Sequence, residues 1–512
     1  MGKSPYLEGN FAPVGREIEA ENLVIEGELP RELDGLYLRN GANPRLEPLG
    51  RYHWFDGDGM LHAIELRDGR ASYRNRWVRT KGFELERKRD RAIWTGVLER
   101  PQFDNPDGPT KNSANTSVVM HAGKLLALHE QGEPYEIALP GLETRGPCTF
   151  RKRLHHAFSA HPKIDAQSGE MFGFGYSPVA KPHLQYSVIA ADGALAHTTA
   201  IELPIGVMMH DFAITERYAV FMNHPYTYDV RRMLRGEPIG AFEPERGSYL
   251  GVLARRASGG AIRWFAIAPC FVFHTVNAWD DGEAVVLEVC HRRSLALRFD
   301  DSGPSPIGET PVLLRWRIDP ARGTVREEQL DDQSADLPRI HEALVGRRAR
   351  FAYAARFRRD VGLPLASGLL KYDLLRGGWQ AHEYGRNRNG GEAVFVPRPG
   401  ARDEDDGHLL SLVHDEAEAR SELLVIDARN VTGEPVARVH LPQRVPYGFH
   451  GAWLPGARIE ARSWFSPDLR REIAAHSSSR RSDRSENQRR RDAVQGCAPC
   501  HRRIRAMRSP SS

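Results

Sequence analysis

Cysteine is scarce in this chain: five residues among 512, an odd number scattered at positions 148, 270, 290, 497 and 500. Such a count does not fit a disulfide framework and favours reduced thiols in a cytosol. Long hydrophobic runs are also missing, because the longest apolar stretch, residues 265–273, is about half of the ~20 residues that a membrane-spanning helix needs. Residues 1–10 are polar and lack the apolar core of a secretion signal. We therefore expect a cytoplasmic protein.

An excess of charge of one sign is absent as well, since 71 Lys and Arg residues face 67 Asp and Glu residues and give a formal net charge of +4. Proteins that bind nucleic acid through an evenly basic surface carry far more positive charge, so we expect no nucleic-acid partner. Hydrophobic residues make up 40% of the chain, which is enough for a large core, and the 47 Gly and 34 Pro residues suit a turn-rich globular fold.

Helical periodicity is rare, and short strand-like segments rich in Val, Ile, Leu, Phe and Tyr recur between residues 20 and 455. Asp-Gly pairs at residues 58–59, 68–69, 192–193, 281–282 and 406–407 predict tight hairpin turns with positive φ. So many strand–turn–strand units predict a closed all-β array, and a β-propeller accommodates them without long open edges. Two polar stretches, residues 82–107 and 225–247, interrupt this rhythm and are either helices laid over one face or surface insertions.

The composition changes after Trp453. Residues 456–512 are rich in Arg and Ser and contain little that can form a core, so we expect a disordered basic tail after a propeller formed by residues 1–455. The tail holds Cys497, Cys500 and His501 in the Cys-x-x-Cys-His spacing of haem attachment. A chance match or an adventitious metal site is the simpler interpretation, and an electron carrier built on this motif is the weakest functional hypothesis.

Four of the 21 histidines, His161, His210, His274 and His450, share a setting at the edge of an apolar or strand-like segment. They follow one another at intervals of 49, 64 and 176 residues. Such wide spacing excludes a site within one loop or one helix. It suits a radial fold in which separate blades each direct one side chain toward a common axis.

A series of short motifs runs in order between residues 6 and 453. They are Tyr-Leu-Arg-Asn-Gly at 37–41, Trp-Phe-Asp-Gly-Asp-Gly-Met at 54–60, Asn-Thr-Ser-Val at 115–118, Ala-His-Pro-Lys at 160–163, His-Asp-Phe-Ala-Ile-Thr at 210–215, Phe-His at 273–274, Leu-Pro-Arg-Ile at 337–340, Gly-Glu-Ala-Val-Phe-Val-Pro at 391–397, Glu-Asp-Asp-Gly at 404–407 and Phe-His-Gly at 449–451. The ordered set resembles the carotenoid cleavage oxygenases, a family that also contains the lignostilbene dioxygenases and the retinoid isomerase. The resemblance implies a seven-bladed β-propeller capped by a dome of helices and loops, with one Fe(II) per subunit held on its axis by His161, His210, His274 and His450.

The family pattern also implies three carboxylates that hold the ligand imidazoles, and they map to Glu130, Asp336 and Glu392. A ligating histidine commonly donates its other N–H to such a group, which fixes the ring and its tautomer. Asp336 stands where the family usually has Glu and is one methylene shorter, so we expect either a bridging water or a shifted strand at this ligand.

Three further residues are candidates for substrate binding by their family position. Phe55 and Phe273 are expected along a substrate tunnel, with a plain core role as the alternative for each. His129 stands where lignostilbene-type members carry a lysine that engages a phenolic oxygen. The missing lysine favours an apolar carotenoid or apocarotenoid as the substrate.

The implied reaction is insertion of the co-substrate dioxygen across a conjugated C=C bond, which splits a polyene into two carbonyl products. Four imidazoles leave two of six positions open on Fe(II), the usual arrangement for activating oxygen. A stilbene- or phenylpropanoid-cleaving dioxygenase is the alternative with the same fold, and a catalytically silent propeller that binds a ligand is the alternative from another class. Because polyenes reside in membranes, we also expect peripheral contact with the inner face of a membrane.

Overall fold

The computed structural model describes residues 4–235, 237–295 and 310–456, which form many short strands and few helices. The first strands are β1 Glu19–Ala20, β2 Ile25–Gly27, β3 Gly35–Ala42, β4 Gly59–Arg67, β5 Arg70–Trp77, β6 Ser117–His121, β7 Lys124–Leu128, β8 Tyr135–Ala138, β9 Glu143–Pro147, β10 Lys163–Ile164, β11 Met171–Tyr176, β12 Leu184–Ile189, β13 Leu195–Ile201, β14 Gly206–Val207, β15 Ala213–Ile214, β16 Tyr218–Asn223 and β17 Tyr226–Tyr228. The others are β18 Gly240–Phe242, β19 Ser248–Ala254, β20 Arg263–Ile267, β21 Phe271–Asp281, β22 Ala284–Arg292, β23 Val312–Asp319, β24 Thr324–Gln329, β25 Ala335–Arg339, β26 Phe351–Phe357, β27 Ala366–Asp373, β28 Trp379–Glu383, β29 Arg388–Pro397, β30 Gly407–Asp415, β31 Arg420–Asp427, β32 Ala437–His440 and β33 Gly451–Pro455.

Helices are short throughout the described residues. The α-helices are α1 Lys81–Arg89 and α2 Val230–Leu234, and the 3-10 helices are Pro5–Leu7, Gly9–Phe11, Trp54–Asp56, Pro244–Arg246, Gly259–Ala261 and Glu342–Leu344. Within these ranges no helix has the length and apolar composition needed to cross a lipid bilayer. The predicted tail, residues 456–512 with Cys497 and Cys500, lies outside the described residues except for Gly456 and stays a prediction.

The strands pair antiparallel in seven sheets across the described ranges. Consecutive strands form three of them, β6–β9, β10–β13 and β21–β24, and a fourth sheet has the order β15-β16-β19-β20. A five-stranded sheet has the order β1-β5-β4-β3-β33, a nine-stranded sheet combines β25–β32 with β2, and a small sheet has the order β14-β17-β18. The predicted all-β class is therefore confirmed as a set of many antiparallel sheets with few helices.

Burial falls from the first to the last strand of the sheet β21–β24. In the sheet β21–β24, residues 271–279 of the first strand are all buried, whereas the last strand, Thr324–Gln329, is almost wholly exposed. An unpaired strand edge in solvent is prone to pair with other chains. Here one edge of the sheet is enclosed in the protein and the other is short and polar, so the side chains on the first strand are held in a dry interior.

The core lies between the faces of neighbouring sheets. Val220 and Leu250 of one sheet pack with Leu287 and Trp316 of the sheet β21–β24 in one apolar cluster. Another cluster joins β11 and β12 to the strand that carries Phe221. Removal of this apolar surface from water holds the neighbouring sheets face to face.

The two ends of the described chain are joined within the same sheets. Strand β33 pairs antiparallel with β3, so that Gly35 lies opposite Pro455. Strand β2 pairs with β32, with Ile25 opposite Val439. Residues separated by more than 400 positions therefore share a hydrogen-bonded ladder.

Three of the five predicted Asp-Gly turns are present, and two predictions are wrong. Gly69, Gly193 and Gly282 have positive φ and lie between paired strands. Gly59 and Gly407 instead begin strands β4 and β30. A Cβ on either would lie 2.4 Å from a backbone oxygen, of Ala114 or Val396 respectively, so close backbone approach rather than turn geometry requires glycine there.

Each of the two polar stretches is a mixture of the predicted alternatives. Residues 82–107 contain most of α1, which begins after Thr80, whose hydroxyl accepts a hydrogen bond from the Phe83 N–H at 3.1 Å. Residues 225–247 contain the helix α2 between the strands β17 and β18. The sequence Tyr-Thr-Tyr forms β17 because these residues have a high β propensity. Both stretches contribute to the wall of the cavity described below.

Candidate metal centre

The four histidines lie on or just before the edge strands of four different sheets. His274 is on β21, whereas His161, His210 and His450 come directly before β10, β15 and β33. Since β10, β15, β21 and β33 are each the edge strand of their sheet, the imidazoles leave four separate sheets and meet in the interior.

The ligand nitrogens of the four rings lie within 4.8 Å of one another. Nε2 of His161 and Nε2 of His210 are 3.0 Å apart. Two nitrogens bound at right angles to one ion, each at about 2.1 Å, are about 3.0 Å apart. The ring centroids of neighbouring pairs are separated by 4.5–5.2 Å and most of the ring pairs are strongly inclined. The cluster therefore has the dimensions of a metal site with four imidazole ligands.

Carboxylates hold three of the rings through the nitrogen that faces away from the cluster. Nδ1 of His210 donates to Glu130 at 2.6 Å, that of His274 to Asp336 at 2.7 Å and that of His450 to Glu392 at 2.9 Å. An ionised carboxylate only accepts hydrogen bonds, so these contacts place the proton on Nδ1 and leave the Nε2 lone pair for a ligand.

The direct contact of Asp336 with His274 corrects one of the two expectations for this residue. At 2.7 Å the carboxylate reaches the imidazole without a bridging water. The strand itself is irregular, because its register with β26 shifts between Asp336 and Arg339 and Leu337 has a φ of 54°. Asp336 therefore contacts His274 directly from an irregular stretch of strand, and the expected shift of this strand relative to the family stays a prediction.

The chemistry of the donor set fits a bound cation. Nε2 of His274 is fully buried and has no hydrogen-bond partner in the described residues, which is costly for a polar atom unless a ligand occupies it. Burial, followed by the neighbouring imidazoles, holds the pKa of His161 well below its usual value. Burial also lowers the pKa of His274, although Asp336 opposes this shift. Neutral imidazoles are the form that ligates a metal.

The site opens into a cavity of about 610 Å³, within the roughly 300–1,000 Å³ range of small-molecule pockets. His210, His274 and His450 lie in its wall together with Glu130 and Asp336. The predicted substrate residues Phe55, His129 and Phe273 also line it, and the ring of Phe273 is 5.1 Å from that of His210. Much of the rest of the wall is aromatic or aliphatic, including Trp54, Trp94, Tyr226, Leu363 and Phe449.

Two residues of the site are missed by the sequence reasoning. The hydroxyl of Tyr176 donates to Oε1 of Glu130 and accepts from Gln131 Nε2 at 2.8 Å. Arg292 donates to Oδ2 of Asp336 at 2.9 Å. Each ends a strand, β11 or β22, and neither belongs to a motif, so only the pairing of distant strands brings them to the carboxylates.

The comparisons agree with this geometry. The family model described as "Retinal pigment epithelial membrane protein" matches residues 11–455. The carotenoid 9,10(9',10')-cleavage dioxygenase 1 of Arabidopsis thaliana is 36% identical over 497 residues, covering 90% of this chain and 91% of the relative. The isoeugenol monooxygenase of Pseudomonas putida is also 36% identical, over 468 residues, covering 88% of this chain and 98% of the relative.

A solved structure is similar to this chain over most of its length. The lignostilbene dioxygenase of Pseudomonas brassicacearum matches with a TM-score of 0.83 at 32% identity, covering 89% of this chain and 100% of the neighbour. Sequence and fold therefore agree over most of the chain, and not only at the histidine motifs. The chain belongs to the carotenoid cleavage oxygenase family and is an enzyme of the dioxygenase type.

Proposed function

We propose that the protein is an Fe(II)-dependent dioxygenase that cleaves a conjugated C=C bond of a carotenoid or apocarotenoid to aldehyde products. The observation that carries the proposal is the position of the four-imidazole cluster at a largely apolar cavity. Fe(II) held by His161, His210, His274 and His450 supplies the activation of dioxygen.

The residues of the chain act by positioning and by excluding water. Glu130, Asp336 and Glu392 hold the Nδ1–H groups, so each imidazole keeps one tautomer and one orientation. The rings of Phe55 and Phe273 form apolar wall against which a polyene packs, which sets the double bond that lies beside the histidines. No general base is required, because the bond that breaks is between two carbon atoms of an alkene.

The substrate class is inferred from the cavity and from one position. His129 occupies the place of the phenol-recognising lysine, which favours a polyene without a phenolic end. An arylalkene is the second candidate, because an isoeugenol monooxygenase is 36% identical to this chain, as the carotenoid enzyme is, and a lignostilbene dioxygenase is 32% identical. For either candidate the four-imidazole cluster is the proposed site of oxygen activation, and the fit of the substrate to the cavity decides between them.

We further propose that the sheets form a seven-bladed propeller. Its support is the number of antiparallel four-stranded groups: β6–β9, β10–β13, β15-β16-β19-β20 and β21–β24 are separate sheets, β25–β28 and β29–β32 combine in one sheet, and β3–β5 is completed by β33. The stretches around α1 and β17–β18 supply the dome over the axis.

A substrate panel tests the function. Purified protein loaded with Fe(II) is expected to convert an apocarotenal to two carbonyl products at least about tenfold faster than a hydroxystilbene or isoeugenol, because the apolar wall stabilises the longer polyene. Product masses and incorporation of label from ¹⁸O₂ provide the measurement. Preference for the hydroxystilbene or isoeugenol would establish the second candidate, and absence of any product with iron bound would refute both.

We propose membrane contact at the opening of the cavity. Val97, Phe103 and Val179 line the cavity and yet are 48%, 54% and 49% exposed, and Leu234 on α2 is 88% exposed. Exposed apolar side chains of this kind suit delivery of an apolar substrate from the surface of a bilayer, consistent with a cytoplasmic protein at the inner face of a membrane.

Liposome flotation tests this contact. The Phe103→Glu and Leu234→Glu double variant is expected to reduce the bound fraction about tenfold or more, since each buried apolar side chain contributes roughly 1.5–3 kcal/mol. The control is Trp379→Glu, which changes an exposed aromatic residue on β28 that does not line the cavity. Equal flotation of all three proteins, or no flotation of the wild type, would refute the membrane contact.

A further inference from the structure

Asp336 is held from two sides in the interior. Its Oδ1 accepts from His274 Nδ1 at 2.7 Å and from the Leu337 N–H at 3.0 Å, and its Oδ2 accepts from Arg292 Nη2 at 2.9 Å. Arg292 and Asp336 are each 5% exposed and His274 is 9% exposed. A buried charged hydrogen bond of this kind fixes geometry, because each group loses a strong interaction when it rotates away.

Arg292 also contacts the wall of the cavity. It ends β22 opposite Phe271 of β21, and its guanidinium lies 5.0 Å from the ring centroid of Phe273. Phe273 in turn packs edge-on against His210. One side chain therefore contacts the carboxylate behind one histidine and the aromatic ring beside another.

The other two carboxylates have different partners. Glu130 accepts from the neutral hydroxyl of Tyr176. Glu392 accepts from the Gly451 N–H at 2.7 Å and has Arg339 only at 3.7 Å. The short aspartate, which has the least reach and lies on an irregular strand, is the one that a buried guanidinium contacts at hydrogen-bond distance.

We propose that Arg292 is a positioning residue of the metal centre: it holds Asp336 in the orientation that directs Nε2 of His274 into the cluster. The inference rests on the metal site proposed above. Partners that orient ligands from behind typically contribute tenfold to hundredfold to metal affinity. The planar guanidinium reaches both Asp336 and the ring of Phe273, which a lysine ammonium does not reproduce.

Titration of the metal-free protein with Co²⁺ tests the proposal through affinity and the visible absorption spectrum, independently of turnover. Arg292→Gln is expected to bind Co²⁺ about 10- to 100-fold more weakly with a shifted spectrum, and Arg292→Lys to lie between this variant and the wild type. Arg293→Gln, the exposed neighbour, is the matched control and is expected to match the wild type.

A double-mutant comparison shows whether Arg292 acts through Asp336. Arg292→Gln combined with Asp336→Asn is expected to bind Co²⁺ no more weakly than Asp336→Asn alone. Losses that multiply, a wild-type affinity and spectrum in Arg292→Gln, or full recovery in Arg292→Lys each overturn the positioning role while leaving the proposed function intact. A wild-type protein that takes up no Co²⁺ overturns the proposed function and this inference together.

Discussion

His274→Ala is expected to lose bound iron and to lower the rate of substrate cleavage on the order of a thousandfold or more. Where several residues act as one catalytic unit, removal of a single member costs nearly as much as removal of all of them. The reason is geometric. Nε2 of His274 is fully buried and has no hydrogen-bond partner among the described residues, and Asp336 fixes the ring that carries it. With three imidazoles left, the site keeps an incomplete ligand set and a new gap beside the cavity.

Folding is expected to survive this substitution, because Asp336 keeps its contact with Arg292. The measurement is the iron content per chain, together with cleavage activity and circular dichroism. His155→Ala is the matched control, since this histidine is exposed and does not line the cavity, and it is expected to retain both iron and activity. Full iron occupancy in His274→Ala would contradict the four-imidazole assignment.

Lys111→Met is expected to destabilise the folded protein by about 3–5 kcal/mol, the cost of removing one partner from a buried ion pair. The Nζ of Lys111 donates to Asp58 and to Glu86, each at 2.7 Å. The side chains of the two carboxylates are each 6% exposed and that of the lysine 13%. Burial lowers the pKa of Lys111, but the two carboxylates outweigh it and raise the pKa overall, so the ammonium stays charged.

This ion triad joins the start of β4 to helix α1 and to the segment before β6, and all three side chains line the cavity. Methionine leaves two like charges buried together without a cation. Urea unfolding measures the loss, and adding Glu86→Gln to Lys111→Met is expected to recover part of it, because only one uncompensated carboxylate then remains. Lys81→Met, which changes a side chain that is 76% exposed, is the control and is expected to shift the free energy by less than about 1 kcal/mol. A matching small effect at Lys111 would contradict the triad's role.

The centre could be predicted from the sequence to the extent that its residues lie in ordered motifs. His161, His210, His274 and His450 meet as the motifs imply, with Glu130, Asp336 and Glu392 behind three of them. The all-β class could also be predicted from the sequence, because alternating strands and turns leave a strong local pattern. The roles of Tyr176 and Arg292 could not be predicted, because a single residue at the end of a strand carries no local signal of which residues lie beside it in the fold.

The glycine pairs show a second limit of local reasoning. Asp58-Gly59 and Asp68-Gly69 are the same dipeptide, yet Gly69 has a φ of 76° in a turn and Gly59 begins a strand. The difference lies in Ala114, whose carbonyl oxygen leaves no space for a Cβ on Gly59. A contact between residues 55 positions apart in sequence is decided by packing and not by the dipeptide.

The pairing of β33 with β3 sets the time at which the metal centre can be completed during synthesis. His450 directly precedes β33, the strand that joins the end of the described chain to its beginning. When His274 has been added to the growing chain, three of the four histidines are present and His450 is still about 176 residues away. At roughly 5–20 residues per second, synthesis of this segment takes on the order of ten seconds or more. The complete set of four imidazoles is therefore available only late in translation, when the strand that follows His450 has been made and can pair with β3.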